Sequence, residues 1–220
     1  TLWIGDAIQG VQNNEAGSQL SEQWATTAPT APAPQESATE DPTVEPPAPI
    51  TADPVKMDQP AEGQQFGVMW IPRLGPDYSV PIAGGVNPAT SLNVGDIGHY
   101  PGTAMPGDQG NFAVAAHRGS HGAPFMTLPN LHEGDAVVIE TQDGWYTYRY
   151  RNSEYVTPQS VDVLLPIPRV QGSQPSGRYI TMTTCSPRYG SAERLIAYGV
   201  FESFTPRSAG APASLTEVSA

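Results

Sequence analysis

WYTYRYR, residues 145–151, alternates aromatic and polar side chains without interruption. In an extended strand successive side chains point to opposite faces. Tyr146, Tyr148 and Tyr150 therefore share one face, and Thr147, Arg149 and Arg151 share the other, as on a half-buried sheet. Asp143-Gly144 stands just before this run and DAVVIET (135–141) just before that pair, which is the signature of a hairpin. The same texture spreads in both directions. FGVMWIPRL (66–74), YSVPIAGGV (78–86), NFAVAAH (111–117), WYTYRYRNSEYVT (145–157), RYITMTTC (178–185) and RLIAYGVFESF (194–204) are all short β-rich segments bounded by Gly, Pro or Asn. Seven or more such strands predict an all-β barrel or sandwich of about 140 residues. APFMTLPNL (123–131) is expected to add one short helix.

The rest of the 220 residues differ in composition. Residues 1–65 hold nine prolines, ten acidic residues and one lysine, a charge of −9 against a total of −12. Within them, residues 1–24 carry apolar residues at partly helical spacing, Ile4, Ile8 and Val11, but Gly5 and Gly10 weaken that pattern to a marginal helix. The Pro-, Ala- and Glu-rich stretch that follows buries too little apolar surface to offset its ordering entropy, so a disordered stalk is expected. Trp3 and Trp24 raise the alternative of a segment folding back as a lid, against a free stalk as the default. Three units result: a marginal helix with linker (1–65), a β-barrel (66–205) and a small polar tail (206–220) expected to be disordered. The barrel is nearly balanced in charge and no basic face stands out, which argues against nucleic acid as a partner. No apolar run of 18 or more residues is present. The start at Thr1 suggests a fragment or processed form.

Few side chains are suited to covalent chemistry. Cys185 is the single cysteine and ends the strand RYITMTTC; the histidines are His99, His117, His121 and His132. A thiol nucleophile needs a proton-handling partner and donors for the oxyanion that forms on acyl transfer. His117 ends the strand NFAVAAH, and Arg194 opens the strand after Cys185, so strand ends can gather the three on one rim of a barrel. Taken singly, each has a plainer reading: an inert buried cysteine, a structural or solvated histidine, an arginine paired with Glu193. The histidines lack the spacing and nearby carboxylates of a metal set, and no calcium site is visible among the scattered acids.

Together these residues form a pattern. TMTTC (181–185) resembles the TLxTC signature of sortases, the cysteine transpeptidases that attach proteins to Gram-positive cell walls, with Met182 where Leu is usual. HYPGTAMPGDQGNFAVAAHRGSHGAPFMTLPNLHEGDAVVIET (99–141) is similar to the matching sortase region, including His117-Arg118 and the L-x-x-G-D turn at 131–135. The likeness runs from Phe66 to Phe204. It implies a closed barrel of about eight strands in which Cys185 attacks the carbonyl between Thr and Gly of a C-terminal sorting signal. His117 would then serve as general acid and base, and Arg194 would hold the oxyanion, with Arg188 as a competitor for that place. Tyr100 resembles a tyrosine of class E enzymes of actinobacteria, which take LAxTG-type signals where other classes take LPxTG. Tyr100 and Thr184 are thus candidate substrate-binding residues, with plain packing as the alternative for each. No cofactor is implied. The implied partners are surface proteins bearing the signal and the amine of a peptidoglycan precursor such as lipid II. The implied setting is a monomer on the outer face of the cytoplasmic membrane, tethered by an N-terminal anchor lying outside this chain. A cysteine hydrolase and a non-catalytic surface adhesin or spacer domain are the competing readings.

Overall fold

The structure, a computed structural model, describes residues 2–27 and 52–218, with side chains from Gly5 onward in the first segment. Eight strands follow in chain order: β1 (Gln65–Trp70), β2 (Ser79–Gly84), β3 (Ile97–His99), β4 (Gly110–Ala115), β5 (Ala136–Thr141), β6 (Gly144–Val156), β7 (Arg178–Ser186) and β8 (Glu193–Pro206). They close into a barrel in the order β1-β2-β3-β4-β7-β8-β6-β5. The β2/β3 and β4/β7 pairs are parallel and the rest antiparallel. The Tyr/Arg alternation of β6 sorts as its period requires. Tyr146, Tyr148 and Tyr150 are buried in the main core, whereas Arg149 and Arg151 face outward. The two deepest phenols have partners: Tyr146 donates to the Val55 carbonyl at 2.8 Å, and Tyr148 accepts from the Gly107 N–H at 2.8 Å. Such bonds offset the cost of burying a hydroxyl. Met69, Ile82, Phe112, Ile139, Ile180 and Met182 fill the interior around them. β3 is the strand that the sequence pattern does not reveal, because three residues are too few to display a period.

Four sequence expectations change. Residues 123–131 form only a 3₁₀ turn, Leu128–Asn130, since Pro124 and Pro129 lack the N–H that a longer helix needs. The ordered domain begins before residue 66. Ala52 bridges to Phe204, Glu62 bridges to Gly84, and Met57 packs on the core. The tail is not disordered through residue 218. Arg207 donates to Glu140 at 2.8 Å and lies 4.6 Å from the Trp145 ring centre, and the buried Ser214 hydroxyl sits 2.9 Å from that of Thr147. Glu140 is itself buried and also accepts from Trp70 Nε1 and from Ser21, so one carboxylate joins β1, β5, the tail and the N-terminal segment.

That N-terminal segment is the fourth change. It is a continuous 26-residue helix, α1 (Leu2–Thr27), docked along β2, and not a marginal one. The stretch 28–51, which holds most of the expected stalk, lies outside the described residues, as does the Trp3 side chain. Gln, Glu, Ala and Leu favour the helix, and the first proline comes only at residue 29. The face turned to the barrel is small and polar: Asn13 and Gly17 are buried, and Ile8 and Val11 stand 53% and 58% exposed. Glycine weakens a helix but here permits close approach, because a Cβ on Gly17 would lie 2.0 Å from the Ser79 carbonyl oxygen. Ser18 and Asn14 both bond Ser79, giving a polar seam with little apolar burial. Gly17→Leu should therefore release α1 and leave the barrel folded. Proteolytic cleavage within residues 1–27 is expected to quicken by roughly tenfold, equivalent to about 1.4 kcal/mol of docking, with little change in the barrel's melting temperature. An unchanged cleavage rate would show that α1 is held by something other than this close approach.

Candidate active site

β7 sits between β4 and β8, and the register of these two ladders builds the site. On the parallel side Ala115 pairs with Thr183, and the Ala116 N–H donates to the Thr183 carbonyl at 3.2 Å. β4 ends at Ala115, and His117 follows two residues later, on the β4 side of β7. On the antiparallel side Cys185 pairs directly with Arg194. Cys185 and Arg194 are thus one rung of the sheet, and His117 follows the end of the strand on the other side of β7. Cys185 is half-buried, as a thiol must be to meet a substrate, unlike the fully buried Met182 in the same strand.

Alternation along β7 separates its two faces. Ile180 and Met182 point into the core, so Thr181, Thr183 and Cys185 share the outer face. Tyr100 belongs to that face: its phenol is 2.9 Å from the Thr183 hydroxyl, one pleat from Cys185. Thr184 lies on the opposite face. Its buried hydroxyl donates to the Ala116 carbonyl at 2.7 Å, tying β7 to the end of β4 just before His117. The Arg194 guanidinium donates to the Ser191 and Glu193 carbonyls at 3.0 and 2.9 Å, so its contact with Glu193 is through the backbone and not the carboxylate. Arg188 turns toward the Tyr189 ring and the Met126 sulfur.

Three participants are not evident from the sequence. Arg118 Nη1 donates to the Cys185 carbonyl at 3.4 Å. Asn93 Oδ1 lies 2.8 Å from His117 Nε2, and Asp6 of α1 accepts from the His121 N–H at 3.1 Å. Asn93 precedes His117 by 24 residues in a loop without a motif, and Asp6 belongs to a helix remote in sequence. A cavity of about 1200 Å³ opens beside the site, lined by Asp6, Gly10 and Val11 of α1, by Tyr78 and by the loop 119–124. Trp24 lies at the other end of α1, beyond Ser21 on Glu140.

The remaining histidines divide by environment. His99 is fully buried, stacks on Phe112 at 5.2 Å and has its pKa pushed down to about 4 by burial. His121 stacks on His117 at 4.8 Å between ring centres. Burial first, and then repulsion from the His121 ring, lower the pKa of His117 below its ordinary 6.5. The imidazole is therefore mostly neutral near pH 7. Removing the second ring removes a repulsion that opposes protonation, so His121→Gln should raise the His117 midpoint. An NMR titration of the imidazole signals should show a wild-type midpoint below 6.5 that moves upward in the variant. An unmoved midpoint would show that the ring pair does not set the protonation of His117.

Known proteins resemble this chain in sequence and in fold. A sortase domain model matches residues 69–202. The chain is 43% identical to Sortase SrtE1 of Streptomyces coelicolor over 159 residues, which is 70% of this chain and 45% of that protein. It therefore spans about half the length of the curated relatives it matches. Among solved structures it is similar to a crystal structure of Sortase E1 from Streptomyces coelicolor with a tripeptide in the active site. That match has 41% identity, a TM-score of 0.65, and coverage of 71% of this chain and 99% of the other. It is also similar to the SrtA sortase from Actinomyces oris, at 34% identity, TM-score 0.69, and coverage of 74% and 93%. The matched domain, these relatives and the closed eight-stranded barrel place this chain in the sortase family, with its likeness running to the class E members.

Proposed function

We propose that the chain is a cysteine transpeptidase that cleaves an LAxTG- or LPxTG-type sorting signal between Thr and Gly and passes the acyl group to a cell-wall amine. The observation that supports this reading is the pairing of Cys185 with Arg194 across β7 and β8, with His117 two residues beyond the end of β4 on the other side of β7. His117 takes the Cys185 thiol proton, and the sulfur, now a thiolate, attacks the threonine carbonyl carbon. Arg194 donates to the oxyanion that develops, and preorganised donors of this kind stabilise a transition state far more than a mobile solvent does. The carbon–nitrogen bond then breaks, and His117 gives a proton to the leaving glycine amine. A thioester remains on Cys185. The incoming amine attacks it, loses a proton to His117, and expels the sulfur as the new amide forms.

Tyr100 fits a substrate-reading role in this scheme, since its phenol borders the face that presents Cys185. Thr184 fits a positioning role better than direct binding, because its hydroxyl is already engaged by Ala116. The partners proposed are surface proteins carrying the signal and the amine of a peptidoglycan precursor such as lipid II. The site of action proposed is the outer face of the cytoplasmic membrane. No helix among the described residues is long and apolar enough to cross a membrane.

Incubation with an LAxTG peptide and an amine, read by mass spectrometry, tests the proposal. A thioester on Cys185 and an amide product should form, and both should vanish in Cys185→Ala. His117→Ala should cost about 10²-fold or more in rate, and Arg194→Ala a loss of about 10²–10³. Release of free acid alone would indicate a hydrolase, and no adduct at all a non-catalytic domain. Tyr100→Phe should narrow the preference for LAxTG over LPxTG by about two- to tenfold, the worth of one hydrogen bond. An unchanged ratio would remove Tyr100 from substrate reading.

A further inference from the structure

The loop side of His117 is as ordered as its strand side. Asn93 Oδ1 is 2.8 Å from His117 Nε2, and an amide oxygen can only accept, so this nitrogen carries a proton. In a neutral imidazole, one hydrogen bond of this kind decides the tautomer and the ring orientation. Nδ1 is then the nitrogen left to exchange protons with reacting atoms.

Asn93 is solvent-exposed in the 3₁₀ turn Leu92–Val94, where nothing in its own sequence would hold it. The turn is instead fastened to α1. Asn13 Nδ2 donates to the Gly95 carbonyl at 3.1 Å, and Gln9 Nε2 to the Asn93 carbonyl at 3.4 Å. The same helix reaches the loop beyond His117, through Asp6 at the His121 N–H. Asn13 fits between two glycines, Gly95 and Gly122. A Cβ on either would come within 2.4 Å of the Asn13 side chain, and both have positive φ. One helix therefore grips both the turn carrying Asn93 and the loop carrying His121.

We propose that Asn93 is a positioning residue that fixes the tautomer and orientation of His117, and that α1 holds Asn93 in place; this rests on the reading of His117 as general acid and base. The groups around His117 make an amide the suitable partner. His121 stacks on it, Asp6 is bound to the His121 backbone, and Arg118 reaches the Cys185 carbonyl. The Arg188 backbone abuts Gly119, Cys185 is on β7, and Arg194 pairs with it from β8. A neutral acceptor orients the ring without favouring the imidazolium, as a carboxylate would.

The test uses the full chain with a sorting-type peptide, an amine acceptor and NMR of the histidine rings. Asn93→Leu should lower kcat by roughly tenfold or more with KM unchanged, as expected when an oriented proton donor is lost. Asn93→Asp keeps an acceptor at the same place. It should hold kcat within about threefold of wild type and move the His117 midpoint up by about one unit, since a nearby carboxylate favours the charged ring. Asn13→Ala, which unfastens the turn, should shift kcat the same way as Asn93→Leu by a smaller factor. An unchanged kcat in Asn93→Leu together with an unmoved midpoint in Asn93→Asp would overturn the role of Asn93. An unchanged Asn13→Ala would overturn that of α1. If His117→Ala itself kept full activity, the underlying reading would fail as well, and that control separates the two.

Discussion

Everything at the candidate site depends on β7 being hydrogen-bonded on both edges at once. A parallel ladder to β4 and an antiparallel ladder to β8 leave this strand no freedom to slip, since a one-residue shift would turn Cys185 into the barrel and Met182 out of it. The Thr-rich run before the cysteine suits this position. β-Branched side chains stiffen the strand, and their hydroxyls find partners across the sheet: Thr181 on Asn111, Thr183 on Tyr100 and Thr184 on the Ala116 carbonyl. A fixed strand places the thiol, and its neighbours' strand ends place the imidazole and guanidinium. Order is therefore inherited from the sheet, and flexible loops are left to shape the surroundings.

The barrel is reinforced by contacts that contain almost no apolar surface. Buried Glu140 is bonded by Trp70, Ser21 and Arg207, and so links two strands to both ends of the described chain. α1 adds a seam of serine, asparagine and glycine along β2. Buried ionic and polar networks contribute less net stability than an apolar interface of equal size, but they are specific in geometry. A helix held in this manner can be exact in placement and still modest in affinity, which suits an element that borders a site and does not support the core.

Much of this was legible in the sequence. The alternation in WYTYRYR and the Asp143-Gly144 turn anticipate the β domain, the resemblance to sortases anticipates its closure into a barrel, and Cys185 and Arg194 pair at the ends of their strands. What escaped did so for physical reasons. β3 is too short for a period, and α1 buries small polar residues while exposing Ile8 and Val11, the reverse of an amphipathic signal. Residues 52–64 and the tail are held by backbone hydrogen bonds and single side chains such as Arg207, which composition does not register. Asn93 meets His117 only through the packing of a helix remote from both, so no spacing rule reveals it.

The most direct measurement is a crystal structure of the chain with a peptide thioester trapped on Cys185. The expected result is continuous density from the sulfur to the threonine carbonyl. An Arg194 nitrogen should lie about 3 Å from the carbonyl oxygen, and the His117 ring should face the departing side. A thioester whose oxygen points away from Arg194, or an imidazole turned outward from the acyl group, would contradict the roles proposed for these three residues.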